Sequence, residues 1–244
     1  MSEFCSNCYN SKDTMRDKIK TIAFDADDTL WVNEPYFRET EVKFCELLSS
    51  YLPADQVTKI LFETEIKNLK LYGYGIKGFM LSMIETLHHI TKGNHPADLI
   101  PEIIRMGQEQ LQKPVEILDG VPTVLEQLSG KYRLVVATKG DLLDQQRKLK
   151  TSGLEQYFQH VEIMSDKKAN DYSKLLKQLN CAPGNFLMLG NSVKSDVLPV
   201  LELEGYASHI PFHTTWMHEV HETEPVHPHF LKLNTISEIL GHLD

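Results

Sequence analysis

Ile19-Lys20-Thr21-Ile22-Ala23-Phe24-Asp25-Ala26-Asp27-Asp28-Thr29-Leu30 is the stretch that decides how this chain is read. Its first half is an apolar run of strand length and predicts a buried strand over Lys20 to Asp25. Asp25 and Asp27 lie at and just past its C-terminal end. In open α/β sheets, ligands bind in the crevice outside the carboxyl ends of the strands. A carboxylate there can act as nucleophile, metal ligand or acid/base. Acid-rich turns after strands also occur with no chemistry attached, so the motif needs support from the rest of the chain.

Outward from this strand the pattern changes. From Tyr36 to about Gln112, apolar residues recur at helical spacing, as in Ile76, Phe79, Met80, Met83, Ile84, Leu87 and Ile90. Pro53, Gly73-Tyr74-Gly75, Gly93 to Pro96 and Pro114 punctuate the block into about four helices. Strand and helix then alternate. Strands are expected at Tyr132–Thr138, His160–Met164, Asn185–Leu189, Tyr206–Ile210 and near Phe230–Leu233. Helices are expected at Gly120–Gly130, Asp141–Lys150, Asn170–Leu179, Lys194–Leu203 and from Ser237. This order predicts an α/β fold with a doubly wound parallel sheet and a smaller all-helical cap domain. The expected division is a leader over residues 1–17, a core over 18–33 and 114–244, and a cap over 34–113.

Composition narrows the function. With 25 Lys plus Arg against 34 Asp plus Glu, the formal charge is -9, which disfavours nucleic acid as a partner. A small phosphate ester stays open, because a bound cation inverts the local field. No apolar run reaches membrane-spanning length, and the polar N-terminus lacks a signal-peptide core. Cys5 and Cys8 form a lone Cys-x-x-Cys pair, half of what a zinc site needs, and are read as free thiols in a frayed leader. Four cysteines without a disulfide framework point to a reducing cytoplasm. His213, His218, His221, His227 and His229 crowd one segment. They are read as an exposed His/Pro-rich loop rather than a metal site, since the spacing matches no zinc pattern.

The predicted strand ends share a polar character. Asp25-x-Asp27 follows the first strand. Thr138-Lys139-Gly140-Asp141 closes the Val135-Val136-Ala137 strand. Ser165-Asp166-Lys167-Lys168 follows Met164, and Gly190-Asn191-Ser192-Val193-Lys194-Ser195-Asp196 follows Leu189. In a parallel sheet these ends lie on one edge and converge on one crevice.

These four ordered motifs resemble the haloacid dehalogenase-like (HAD) hydrolase superfamily, in the branch with a helical cap after the first motif. The resemblance covers roughly Ile19 to Leu243. It implies a hydrolase that uses Mg²⁺ and acts on a small phosphorylated metabolite through an aspartyl-phosphate. Asp25 is then the nucleophile and Asp27 the acid/base. Thr138, Lys139, Gly140 and Lys167 meet the phosphate, Thr138 and Lys167 as members of the catalytic set. Asp25, the Asp27 carbonyl, Asn191 and Asp196 surround the metal. The chemistry of Asp27 favours phosphate esters over carbon–halogen bonds, because an alkoxide leaving group needs a proton and a halide does not. The dehalogenating branch lacks this second acid.

Some departures leave alternatives open. Asp28 stands where the family often has glycine, and is read as a turn or helix-start acid. Asn191 stands where Asp is frequent, so Asp196 is the alternative carboxylate for the metal. Lys167 is favoured over Lys168 by its spacing to Tyr172. Gly73-Tyr74-Gly75 either presents Tyr74 to the site or is a plain interhelical turn. Trp31 either lines the pocket or packs the hinge, and Lys77 is read as solvated. A phosphomutase with the same intermediate, or a weakly catalytic binding module of the same fold, is the competing reading of function.

Overall fold

The computed structural model describes residues 15–243, so Cys5 and Cys8 lie outside the described residues. A short helix, α1 (Met15–Lys18), leads into β1 (Thr21–Phe24). Met15, expected in the leader, packs against the core.

Four helices follow: α2 (Glu34–Leu47), α3 (Ala54–Tyr72), α4 (Ile76–Thr91) and α5 (Leu99–Leu111). Their inward faces share an apolar cluster that includes Phe44, Leu48, Val57, Leu61, Met83 and Leu87. Asp28 sets the entry to this block. Its backbone is left-handed (φ 62°), a conformation Asp tolerates through its short polar side chain. Its carboxylate accepts the N–H groups of Asn33 (2.8 Å) and Glu34 (3.0 Å). Asp28 therefore starts α2 by accepting the first N–H groups at its N-terminal end.

The chain then runs through α6 (Val121–Leu128), β2 (Arg133–Lys139), α7 (Leu142–Ser152), β3 (His160–Met164), α8 (Ala169–Gln178), β4 (Phe186–Gly190), α9 (Leu198–Glu202), β5 (Tyr206–His209), β6 (Phe230–Lys232) and α10 (Leu240–Leu243). The strands form one six-stranded parallel sheet in the order β3-β2-β1-β4-β5-β6. Alternation along each strand separates two cores. Ile22, Phe24, Leu134, Val136, Leu187 and Leu189 face one layer of helices. Ala23, Val135, Ala137, Phe186, Met188 and Ala207 face the other. Burial on both faces explains why these strands read as unbroken apolar runs.

The sheet is wound outward from β1 in both directions, towards β3 and towards β6. The topological switch point therefore lies at the C-terminal end of β1, where such folds open a crevice. Phe24 pairs with Val136 on one side and Leu189 on the other, so the residues after all three strands emerge together.

One helix departs from expectation. Over Lys194–Leu203 a π-helical turn (Val193–Val197) precedes the short α9. Pro199 has no N–H to give the Ser195 carbonyl, the bond an α-helix would make there. The Tyr172 hydroxyl donates to that carbonyl instead (3.1 Å).

Candidate active site

The strand-end residues converge around one buried ammonium. Lys167, 2 % exposed, lies in the loop between β3 and α8. Its Nζ donates to Asp25 Oδ1 (2.5 Å) and to Asp196 Oδ1 (2.6 Å). Two buried carboxylates share one cation, so the group keeps an excess negative charge. Burial pushes the Asp25 carboxyl up, to about 7, against the pull of Lys167. Burial alone would lower the Lys167 ammonium, but Asp196 and Asp25 outweigh it and hold it above its ordinary value. Lys168 is solvent-exposed and pairs with Asp166. Lys167 is thus the lysine that the structure brings to Asp25.

Asp27 lines the same cavity as Asp25 but, among the described residues, shares no hydrogen-bond partner with it. Its Oδ1 accepts from the Trp31 indole (2.8 Å) and from Lys148 Nζ (2.6 Å). Its Oδ2 accepts from Gln145 Nε2 (2.7 Å). Trp31 is 1 % exposed and belongs to the sheet core, so it packs beneath the site and fixes Asp27 from below. Lys148 and Gln145 sit on α7 and were not singled out from the sequence.

The loop after β4 wraps back on itself. Asp196 Oδ2 accepts the Ser192 N–H (3.0 Å). A Cβ at Gly190 would lie 2.2 Å from that same Asp196 oxygen, so only glycine lets the carboxylate close over the strand end. Thr29 Oγ1 lies 3.3 Å from Asp25 Oδ2 and 3.5 Å from Asn191 Oδ1, which brings these two oxygens to one side of the site. A His209 ring nitrogen donates to the Asn191 carbonyl (3.0 Å) and braces the loop. These are hard oxygen donors of the kind that suit a divalent cation such as Mg²⁺. Among the described residues no cluster of three His, Cys, Asp or Glu forms a ready cage. Mg²⁺ does not require one, because it keeps several waters and binds through one or two carboxylates plus substrate phosphate.

Thr138 is buried at the end of β2, its hydroxyl donating to the Lys139 carbonyl (3.2 Å). Gly140 follows and also lines the cavity. Lys139, expected at the phosphate, lines the same cavity, and its ammonium is engaged by other residues. It donates to Glu219 Oε1 (2.6 Å) and Ser195 Oγ (2.9 Å), under the ring of Tyr74 (4.2 Å to the centroid). Glu219 Oε2 in turn accepts the hydroxyls of Ser192 and Ser195 (2.6 Å each). Burial would raise the Glu219 carboxyl, but Lys139 and the two serines outweigh it and bring it to about 2. Glu219 and Trp216 come from the His-rich segment, which was read as an exposed loop. An aromatic residue flanked by apolar Met217 was the one sequence sign that part of it turns inward.

The helical block roofs the crevice. A cavity of about 180 Å³ runs from Asp25 and Thr138 up to residues of α2, α3 and α4. Tyr74, between α3 and α4, faces this cavity and meets Trp216 edge to face (6.1 Å). Gly75 (φ 107°) packs so closely on the core that a Cβ would meet the Asp141 nitrogen at 3.0 Å. Lys77, read as solvated, pairs with Asp141 (3.0 Å) across the same junction.

A family model described as haloacid dehalogenase-like hydrolase matches residues 19–199. A haloacid dehalogenase-like family hydrolase from Xanthomonas campestris is 34% identical, with a TM-score of 0.82 over 93% of this chain and 92% of that one. YfnB of Bacillus subtilis, described as a HAD hydrolase and solved bound to magnesium, is 16% identical, with a TM-score of 0.60 over 93% of this chain and 99% of that one. A 2-haloacid dehalogenase from Pseudomonas syringae is 17% identical, with a TM-score of 0.62 over 92% and 98% of the two chains. The latter two likenesses concern the fold alone. No curated protein sequence matches the chain.

Proposed function

This chain belongs to the haloacid dehalogenase-like hydrolases, and we propose that it is a Mg²⁺-dependent phosphatase acting on a small phosphate monoester. One observation carries the reading. The buried Asp25–Lys167 pair opens onto the same cavity as a second carboxylate, Asp27, held by three donors. A nucleophile alone would serve carbon–halogen cleavage. A nucleophile with an acid/base beside it serves an ester whose leaving alkoxide needs a proton.

In the first step an Asp25 oxygen attacks phosphorus and the bond from phosphorus to the alcohol oxygen breaks. Protonated Asp27 gives its proton to the departing alkoxide. In the second step the Asp27 carboxylate takes a proton from water as the water oxygen attacks phosphorus. The bond from phosphorus to Asp25 then breaks, releasing phosphate and restoring both acids. Lys167 keeps Asp25 in place and offers positive charge to the phosphoryl oxygens, with the Thr138 hydroxyl on another side. Asp25, Asn191 and the Asp27 carbonyl, with Asp196 in support, would hold Mg²⁺, which would supply charge neutralisation there.

The cavity suits a small phosphorylated metabolite, and the charge of -9 disfavours nucleic acid. Among the described residues no helix is long and apolar enough to cross a membrane. Cys45 and Cys181 are free thiols, in keeping with a cytoplasmic setting. Phosphate release from an aryl phosphate with and without Mg²⁺ tests the proposal. Full activity in Asp25→Asn would overturn it, and accumulation of an isomeric ester without free phosphate would mark a phosphomutase.

A further inference from the structure

The roof of the cavity is unlike its floor. Glu34 and Glu41 on α2 are both bound by Arg38, at 3.0 and 2.8 Å. Glu65, facing them from α3, has no hydrogen bond or ion pair to any described residue and feels Arg38 only through its charge. Asn68 lies three residues further along α3, on the same helix face, and is 3 % exposed. The orientation of its amide is fixed by chemistry. Ser82 gives its only hydroxyl proton to the Gly78 carbonyl (2.9 Å), so it must accept from Asn68 Nδ2 (3.1 Å). The Asn68 amide oxygen is left with no donor among the described residues, in a side chain that lines the cavity. Glu65 and the Asn68 amide oxygen thus offer acceptors for which the described residues supply no donor. Beside them stand aromatic faces, with Phe62 and Tyr74 each set edge to face against Trp216 (6.5 and 6.1 Å).

We infer that the alcohol half of the substrate carries an ammonium group, received by Glu65, the Asn68 amide oxygen and the aromatic wall. An ammonium supplies three N–H donors to acceptors that lack them. Its charge suits both the carboxylate and the ring faces. A carboxylate or second phosphate in that position would meet Glu65 beside Glu34 and Glu41, three acids against the single charge of Arg38. Burial pushes the Glu65 carboxyl up, to about 8, with Glu41 and Glu34 adding to the rise and Arg38 opposing it. A bound cation would reverse that pressure.

This inference rests on the phosphatase reading, and one panel separates the two. 2-Aminoethyl, 2-hydroxyethyl and carboxymethyl phosphate differ only in the distal group, and an aryl phosphate serves as a neutral control. The expected order of kcat/KM is amine, then hydroxyl, then carboxylate, with the amine ahead of the hydroxyl by about tenfold or more. Glu65→Gln is expected to remove most of that preference and to leave aryl phosphate turnover unchanged. Aryl phosphate hydrolysis without amine preference overturns the inference and spares the phosphatase reading. No hydrolysis of any ester with Mg²⁺ overturns both. Should Glu65→Gln fail to fold, the selectivity of the wild-type protein decides the matter alone.

Discussion

Lys167 Nζ lies 2.5 Å from Asp25 Oδ1, and both side chains are almost wholly withdrawn from solvent. Removing the lysine leaves Asp25 and Asp196 buried together without a cation. Lys167→Met is therefore expected to cost about 3–5 kcal/mol of stability at neutral pH. The folded remainder should lose about 10²–10³-fold in kcat. Lys168→Met, at an exposed position, should stay within about 0.5 kcal/mol of wild type and keep its activity. Urea unfolding and phosphate release read both effects, and equal losses in the two variants would contradict the assignment.

Asp27 owes its place to Trp31, Gln145 and Lys148. Lys148→Met removes the one cation in this set and touches neither Asp25 nor Lys167. The expected result is a fall in kcat of about tenfold to a hundredfold from misplaced acid/base geometry, with KM little changed. A change confined to KM would mean that Lys148 binds substrate instead.

Asn191 offers a neutral oxygen where a carboxylate would add charge. Asn191→Asp should lower the Mg²⁺ concentration for half-maximal activity by about tenfold, since ligand charge tunes affinity for hard cations. Asn191→Ala should raise it, and chelation should stop turnover until Mg²⁺ is restored. An unchanged Mg²⁺ dependence in both variants would remove Asn191 from the metal site.

Glu219 ties the loop after β4 to Lys139. Its folded-state carboxyl, at about 2, lies below its ordinary 4.5. A depressed acid stabilises the fold above its unfolded value and loses that contribution as pH falls through the folded one. Wild type should therefore exceed Glu219→Gln by on the order of 2–3 kcal/mol at neutral pH. The gap should narrow as pH drops from 4.5 towards 2. Denaturant curves across that range measure it, and a constant gap would show that charge plays no part.

The residues legible from sequence are those where local pattern and position in the sheet coincide. β1 and its neighbours are apolar on both faces, and Asp25, Thr138, Lys167 and Asn191 sit directly at or after strand ends. Lys167 could be preferred over Lys168 from its spacing to Tyr172, and the structure brings Lys167 to Asp25. Glu219 and Trp216 were missed because they reach the site from an aperiodic loop rich in His and Pro. Lys148 and Gln145 were missed because they sit on a polar helix face, where sequence alone does not separate a solvated side chain from one aimed at Asp27. The Glu219 partner of Lys139 was missed for the same reason, since it lies 80 residues away. The π-helical turn depended on Pro199 and Tyr172 acting together across the fold.

The central claim is that Asp25 carries the phosphoryl group during turnover. Acid quenching of the Mg²⁺-loaded protein during hydrolysis of an aryl phosphate, followed by peptide mass spectrometry, addresses it most directly. A phosphoryl mass increment is expected on the peptide containing Asp25, absent in Asp25→Asn and prolonged in Asp27→Asn. Steady phosphate release with no increment on that peptide, or with the increment on another residue, would contradict it.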